Sequence, residues 1–159
     1  DGSFRPQQEV NRLEFVSMLI RFTGKTLPGD DVAAAIGGRA FKDGADMPTW
    51  GAAYAAAALR DGIAAGYPDG TFRPQAPITR IEMMAMLDRA LALPQADESL
   101  IETVPDKANI PDWAIPGIAA LLNADHLHGS GNGTLNPQAL ATRAEAIKML
   151  AEAYVDTLR

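Results

Sequence analysis

The sequence predicts an all-α fold, and three observations carry that prediction. Hydrophobic residues make up 47% of the 159 positions, with alanine and leucine dominant and aromatics at only 6%. That balance favours helices over sheets. One motif occurs three times: Asp1-Gly2-Ser3-Phe4-Arg5-Pro6, Asp69-Gly70-Thr71-Phe72-Arg73-Pro74 and Asn132-Gly133-Thr134-Leu135-Asn136-Pro137. After each copy come a helix-start signature and apolar residues at helical spacing, and such internal repeats set the architecture before any local assignment.

The first repeat, over 1–24, contributes only its second half. The chain starts inside it, without Met, and so reads as a processed product or a piece of something longer. Asn11-Arg12-Leu13-Glu14 begins a helix predicted over 11–23, whose apolar stripe is Phe15, Leu19 and Phe22. Residues 25–40 contain Pro28-Gly29 and read as a linker, with a short helical turn expected from Asp31 to Ile36.

The second repeat spans 41–93 and the third 104–156, joined by an expected linker at 94–103 around Pro94. They align at a constant offset of 63 from Phe41 to Leu87, which pairs Asp43 with Asp106, Trp50 with Trp113, Gly66 with Gly129 and Arg80 with Arg143. Each begins with a helix, starting near Trp50 with Thr49 as N-cap and near Trp113 with Asp112 as N-cap. Gly62 weakens the first of these, and Gly66 is expected to stop it in a left-handed conformation. Pro116 falls in the first turn of its counterpart, where a missing N–H costs little. The Asp-Gly and Asn-Gly pairs predict turns with positive φ. The second helices are predicted over 79–92, with Met84, Leu87 and Leu91 as stripe, and 142–157, with Ile147, Leu150 and Tyr154. Three such stripes predict a three-helix bundle about a pseudo-threefold axis.

The charge balance narrows the function. A net charge of −6 opposes general affinity for nucleic acid or an anionic membrane surface. No apolar run approaches a membrane span. Without cysteine there is no disulfide or thiolate metal site. His126 and His128 lack ligand spacing and read as surface residues, and Asp69-Gly70 lacks the pattern of a calcium loop. No nucleophile–base pair or phosphate loop is present, so neither a cofactor nor an enzyme activity is expected.

Thr79 with Glu82, Thr142 with Glu145 and Asn11 with Glu14 form capping boxes. The capping box leaves Arg12, Arg80 and Arg143 unexplained. Each occupies the first helical position, where the helix dipole disfavours a cation. Each therefore calls for an acidic partner from a neighbouring repeat, or an external anion held by guanidinium and helix N–H groups together. Trp50 and Trp113 are either packing anchors or platforms for a sugar face. Asp43 and Asp106 could bind a sugar hydroxyl, cap their loop or pair with an arginine. Gly66 and Gly129 read first as helix stops and second as ligand contacts.

The run Gly66-Tyr67-Pro68-Asp69-Gly70-Thr71-Phe72-Arg73-Pro74, then Ile78-Thr79-Arg80-Ile81-Glu82, with Phe41-x-Asp43 and Trp50 upstream, resembles the surface-layer homology (SLH) repeat. The resemblance implies a three-pronged spindle with three central helices. It implies non-covalent anchoring at the bacterial cell surface, through a secondary cell wall polysaccharide bearing pyruvylated N-acetylmannosamine or through modified peptidoglycan. It places the ligand in grooves between adjacent repeats. The candidate ligand-binding set becomes Arg12, Arg80, Arg143, Trp50, Trp113, Asp43, Asp106, Gly66 and Gly129. There are departures. The first prong is lacking, so a groove would need completion from elsewhere, for instance by swapping with a second copy. Asn11 replaces threonine, Ser130-Gly131 replaces Tyr-Pro and Leu135 replaces phenylalanine, which predicts a looser third loop. Two other functions compete. One is a protein–protein assembly module in which the arginines are structural. The other is a glycan-cleaving enzyme, disfavoured because its repeated acids already serve as caps.

Overall fold

The computed structural model describes residues 3–29 and 41–157. The helical turn expected over 31–36 lies outside them. Five α-helices are found among the described residues: α1 (Arg12–Phe22), α2 (Thr49–Arg60), α3 (Arg80–Leu91), α4 (Ile115–Asn123) and α5 (Arg143–Thr157). Extended pairing is confined there to isolated bridges, so the chain is all-α. It divides into two compact units, 11–77 and a second made of 1–10 with 78–159.

In unit 11–77, α1 packs on α2. Leu13, Phe15, Val16, Leu19 and Ile20 of α1 are buried, as are Ala55 to Ala58 of α2. The contact is close because position 51 is glycine: a Cβ there would lie 2.3 Å from Leu13 Cδ2. The cap of α2 differs from expectation. Thr49 is already helical, and the N-cap is Pro48, which offers no side-chain bond. The helix ends in a Schellman motif, with Gly62 at φ 68° and the Ile63 N–H bonded to the Ala58 carbonyl at 2.8 Å. Gly62, not Gly66, is therefore the stop.

In the second unit, the expected linker at 94–103 holds a 3-10 helix, Glu98–Thr103, started by Asp97 and packed on α4. Ile101 and Val104 are buried there, which a plain linker would not achieve. A 3-10 turn, Asp112–Ala114, precedes α4, and Pro111 rather than Asp112 is its N-cap. Helix α4 closes like α2, with Asp125 in the left-handed position at φ 58° and the His126 N–H bonded to the Leu121 carbonyl at 2.9 Å. This turns His126 inward to the position of Ile63, and it is buried rather than a surface residue. The stripe of α5 also differs. Ile147 and Tyr154 are exposed, while Ala146, Met149, Leu150 and Ala153 are buried.

Candidate ligand site

The site grows from the loop that precedes each capped helix. In unit 11–77, the Asp43 carboxylate accepts from the N–H groups of Phe72 (2.8 Å) and Arg73 (2.7 Å). In the second unit, Asp106 accepts from Leu135 (2.9 Å) and Asn136 (2.8 Å) in the same way. Of the three roles open to these aspartates, the geometry shows the loop clamp. The clamp holds Phe72 or Leu135 as a buried plug. Gly66 and Gly129 allow the loop to fold back on itself. A Cβ on Gly129 would lie 2.4 Å from the Gly133 carbonyl, and one on Gly66 would lie 2.5 Å from the Phe41 ring. Neither is left-handed, so close approach rather than positive φ explains both.

The loop backbone then meets a helix start. Arg12 and Leu13 donate their N–H groups to the carbonyls of Ala76 (2.9 Å) and Pro74 (3.1 Å). Arg80 and Ile81 do the same to Ala139 and Pro137, both at 2.9 Å, and Arg143 and Ala144 to Gln8 (2.9 Å) and Pro6 (3.0 Å). Capping boxes satisfy the next donor in α1 and α3, and Thr142 with Glu145 bond reciprocally in α5. The first helical amides therefore face protein carbonyls. The expected joint grip of an anion by guanidinium and helix N–H groups is ruled out at these positions, leaving the side chains.

Each arginine reaches the loop of another repeat. Arg12, 6% exposed, donates to the Ala65 carbonyl at 2.8 Å and lies over the Tyr67 and Phe72 rings. Arg80, 9% exposed, donates from Nε to the Leu135 carbonyl at 2.7 Å and from Nη1 to Glu145 Oε1 at 2.5 Å. Arg143 donates to the Phe4 carbonyl at 3.1 Å and lies over the Phe4 ring. These oxygens and π-faces balance the cation that the dipole alone would disfavour.

Arg80 opens onto a pocket of about 180 Å³, whose polar lining is His128, Ser130, Glu145, Lys148 and Glu152, with Gly129 in its wall. The sequence reading missed His128, Lys148 and Glu152 and took Glu145 as a cap only. The available signal was the spacing 145, 148, 152, which puts the three on one face of α5. Trp50 and Trp113 are 52% and 57% exposed, so neither is a packing anchor. The Trp50 ring lies 6.5 Å from that of Tyr54, whose hydroxyl accepts from Arg21 at 2.8 Å.

Electrostatics differ between the loops. Hydrogen bonds from Thr71 and Arg73 hold the Asp69 carboxyl well below the usual carboxylate range. Burial pushes Asp88 of α3 up. Among the described residues, no three His, Asp or Glu side chains converge as a metal would need, and no helix is long and apolar enough to cross a membrane.

Residues 40–84 and 105–147 match the S-layer homology domain family. The chain is 33% identical over 122 residues to the cellulosome-anchoring protein of Acetivibrio thermocellus, covering 75% of this chain and 25% of that protein. It is 33% identical over 93 residues to the S-layer protein EA1 of Bacillus anthracis, covering 58% of this chain and 10% of that protein. It is 32% identical over 157 residues to an amylopullulanase of Thermoanaerobacterium thermosulfurigenes, covering 94% of this chain and 8% of that enzyme. The chain thus spans a quarter or less of the length of these relatives.

Proposed function

The chain belongs to the S-layer homology domain family, which places it at the cell surface, and from that premise we propose that it is a non-catalytic anchor binding an acidic glycan of the cell wall. The observation that supports this most is the arginine at the head of each capped helix. In the second unit Arg80 sits at the edge of a polar pocket large enough for part of a sugar acid. Guanidinium is suited to a carboxylate, and pyruvylated N-acetylmannosamine would present one. A carboxylate that displaced Glu145 from Arg80 Nη1 would keep the Nε bond to Leu135 in place. Trp50 and Trp113, exposed at equivalent positions, are the sugar platforms in this proposal. The amylopullulanase matches over 8% of its length, and in this proposal the shared segment is an accessory one.

Calorimetric titration with purified wall polysaccharide, before and after removal of its pyruvyl groups, tests the proposal. Binding confined to the pyruvylated form supports it; equal binding to both forms rejects the acidic-glycan part. Binding to peptidoglycan alone would move the ligand to that polymer.

The Arg80–Glu145 pair favours a second function, a protein–protein assembly module in which the arginine is purely structural. Lys148→Ala separates the two, because that side chain is exposed and lines the pocket without holding the fold. Weaker glycan binding at unchanged melting temperature favours the anchor.

A further inference from the structure

The pocket beside Arg80 carries charges that differ from those at its repeat-2 counterparts. At the 63-residue offset, His128 stands where repeat 2 has Ala65, Lys148 where it has Ala85, and Glu152 where it has Arg89. Both permanent cations in the lining already face carboxylates. Arg80 donates to Glu145 at 2.5 Å, and Lys148 lies 3.6 Å from Glu152. The fixed charges of the wall therefore cancel, and an entering anion meets little net attraction. His128 is the one lining side chain of a type that changes charge between about pH 5 and 8. It is exposed, and its Nδ1 lies 3.8 Å from Asp125 Oδ1. Asp125 stands in the left-handed position just past the end of α4, at φ 58°. The charged groups facing His128 are thus Asp125 from the α4 terminus, Arg80 from α3, and Glu145, Lys148 and Glu152 from α5.

Building on the acidic-glycan function proposed above, we infer that His128 is a specificity residue: as imidazolium it offsets Asp125 and makes the pocket more positive by one charge, which favours entry of a carboxylate. Affinity then depends on pH with a definite sign. A bound carboxylate favours the charged imidazole, so the protonated fraction rises on binding. The gain belongs to mildly acidic solution, where an imidazole carries charge, and is absent in alkaline solution, where it does not. Linkage is reciprocal, so what protonation does for ligand affinity, bound ligand does for protonation. The inference concerns this pocket alone, because repeat 2 has alanine at the matching position.

The test uses the whole chain and the methyl glycoside of pyruvylated N-acetylmannosamine, titrated by calorimetry at about pH 5.5 and about pH 8. Wild-type protein should bind about fivefold tighter at the lower pH. His128→Gln, which keeps a polar side chain that cannot charge, should flatten that ratio to near one while leaving the melting temperature unchanged. His126 remains in the variant as an internal control. If the wild type binds and His128→Gln retains the full pH ratio, the inference is overturned and the anchor function stands. If the wild type binds at neither pH, the acidic-glycan function falls and takes the inference with it.

Discussion

The loops Tyr67–Pro74 and Ser130–Pro137 have nearly the same backbone and different chemistry. In both, the first residue exchanges backbone bonds across the turn: Tyr67 donates to Thr71 at 2.8 Å and Ser130 to Thr134 at 2.9 Å. Gly70 and Gly133 have φ 83° and 81°. The residue before proline is left-handed in each, Arg73 at φ 58° and Asn136 at φ 49°. The side chains diverge. Repeat 2 crosses its turn with an Asp69–Arg73 ion pair at 2.6 Å, and Arg73 also stacks on Tyr67. Repeat 3 uses neutral groups: Asn136 Nδ2 donates to Ser130 Oγ and to Thr134 Oγ1, both at 3.1 Å. The third loop, expected from its sequence to be looser, has the same framework. Its geometry is set by the clamp, the glycine and the plug, and the crossing side chains are interchangeable.

The largest test breaks what the loops share. Asp43→Ala and Asp106→Ala each leave two amides without their charged acceptor. Each should cost about 3 kcal/mol, because bonds to a charged acceptor are worth about 1.5–3 kcal/mol apiece. Chemical denaturation of both variants should give nearly equal losses. A loss in one alone would show that the other loop is held by its crossing side chains instead.

The next test separates the loops by what lies against the glycine. Ala at 129 drives its Cβ into the Gly133 carbonyl, which is backbone and cannot step aside. Ala at 66 meets chiefly the edge of the Phe41 ring, a side chain that can rotate. Gly129→Ala should cost about 3 kcal/mol and Gly66→Ala about 1 kcal/mol, by the usual range for overpacking. Equal costs in denaturant melts would mean that Phe41 is as fixed as backbone.

The same distinction explains what could be read from sequence. The starts of α1, α3 and α5 were legible because a capping box is a local pattern of two side chains three residues apart, as in Thr79 and Glu82, whereas the proline caps of α2 and of the 3-10 turn before α4 carry no such pattern. The roles of Gly66 and Gly129 were not, because a glycine needed for close approach looks the same in sequence as one needed for positive φ. On α5, the spacing of Ile147, Leu150 and Tyr154 is as helical as that of Ala146, Met149, Leu150 and Ala153, and hydrophobicity favours the larger residues over the alanines that pack. The arginines stood out as an anomaly at a helix start. Of their partners only Glu145, the acid from the neighbouring repeat that pairs with Arg80, was of a legible type; Ala65, Leu135 and Phe4 contribute carbonyls, and a carbonyl carries no sequence signal.

The smallest effect is also the most specific to one loop. Asp69 titrates below the ordinary carboxylate range in the fold, because Thr71 and Arg73 hydrogen-bond its charged form. A group depressed in this way stabilises the native state above its unfolded pKa, and that stabilisation is lost as pH falls through the folded one. Asp69→Asn should therefore be slightly less stable than wild type at neutral pH, and the two should converge as pH drops below about 4. The pair is exposed, so the neutral-pH difference should be small and should shrink in high salt. Asn132 already fills this position in repeat 3, so Asn132→Ala should lower stability by an amount that is the same at both ends of that pH range. Thermal melts of the two variants against wild type across the acid range make the comparison. If Asn132→Ala shows the same acid convergence as Asp69→Asn, the charge at Asp69 is not what distinguishes the loops.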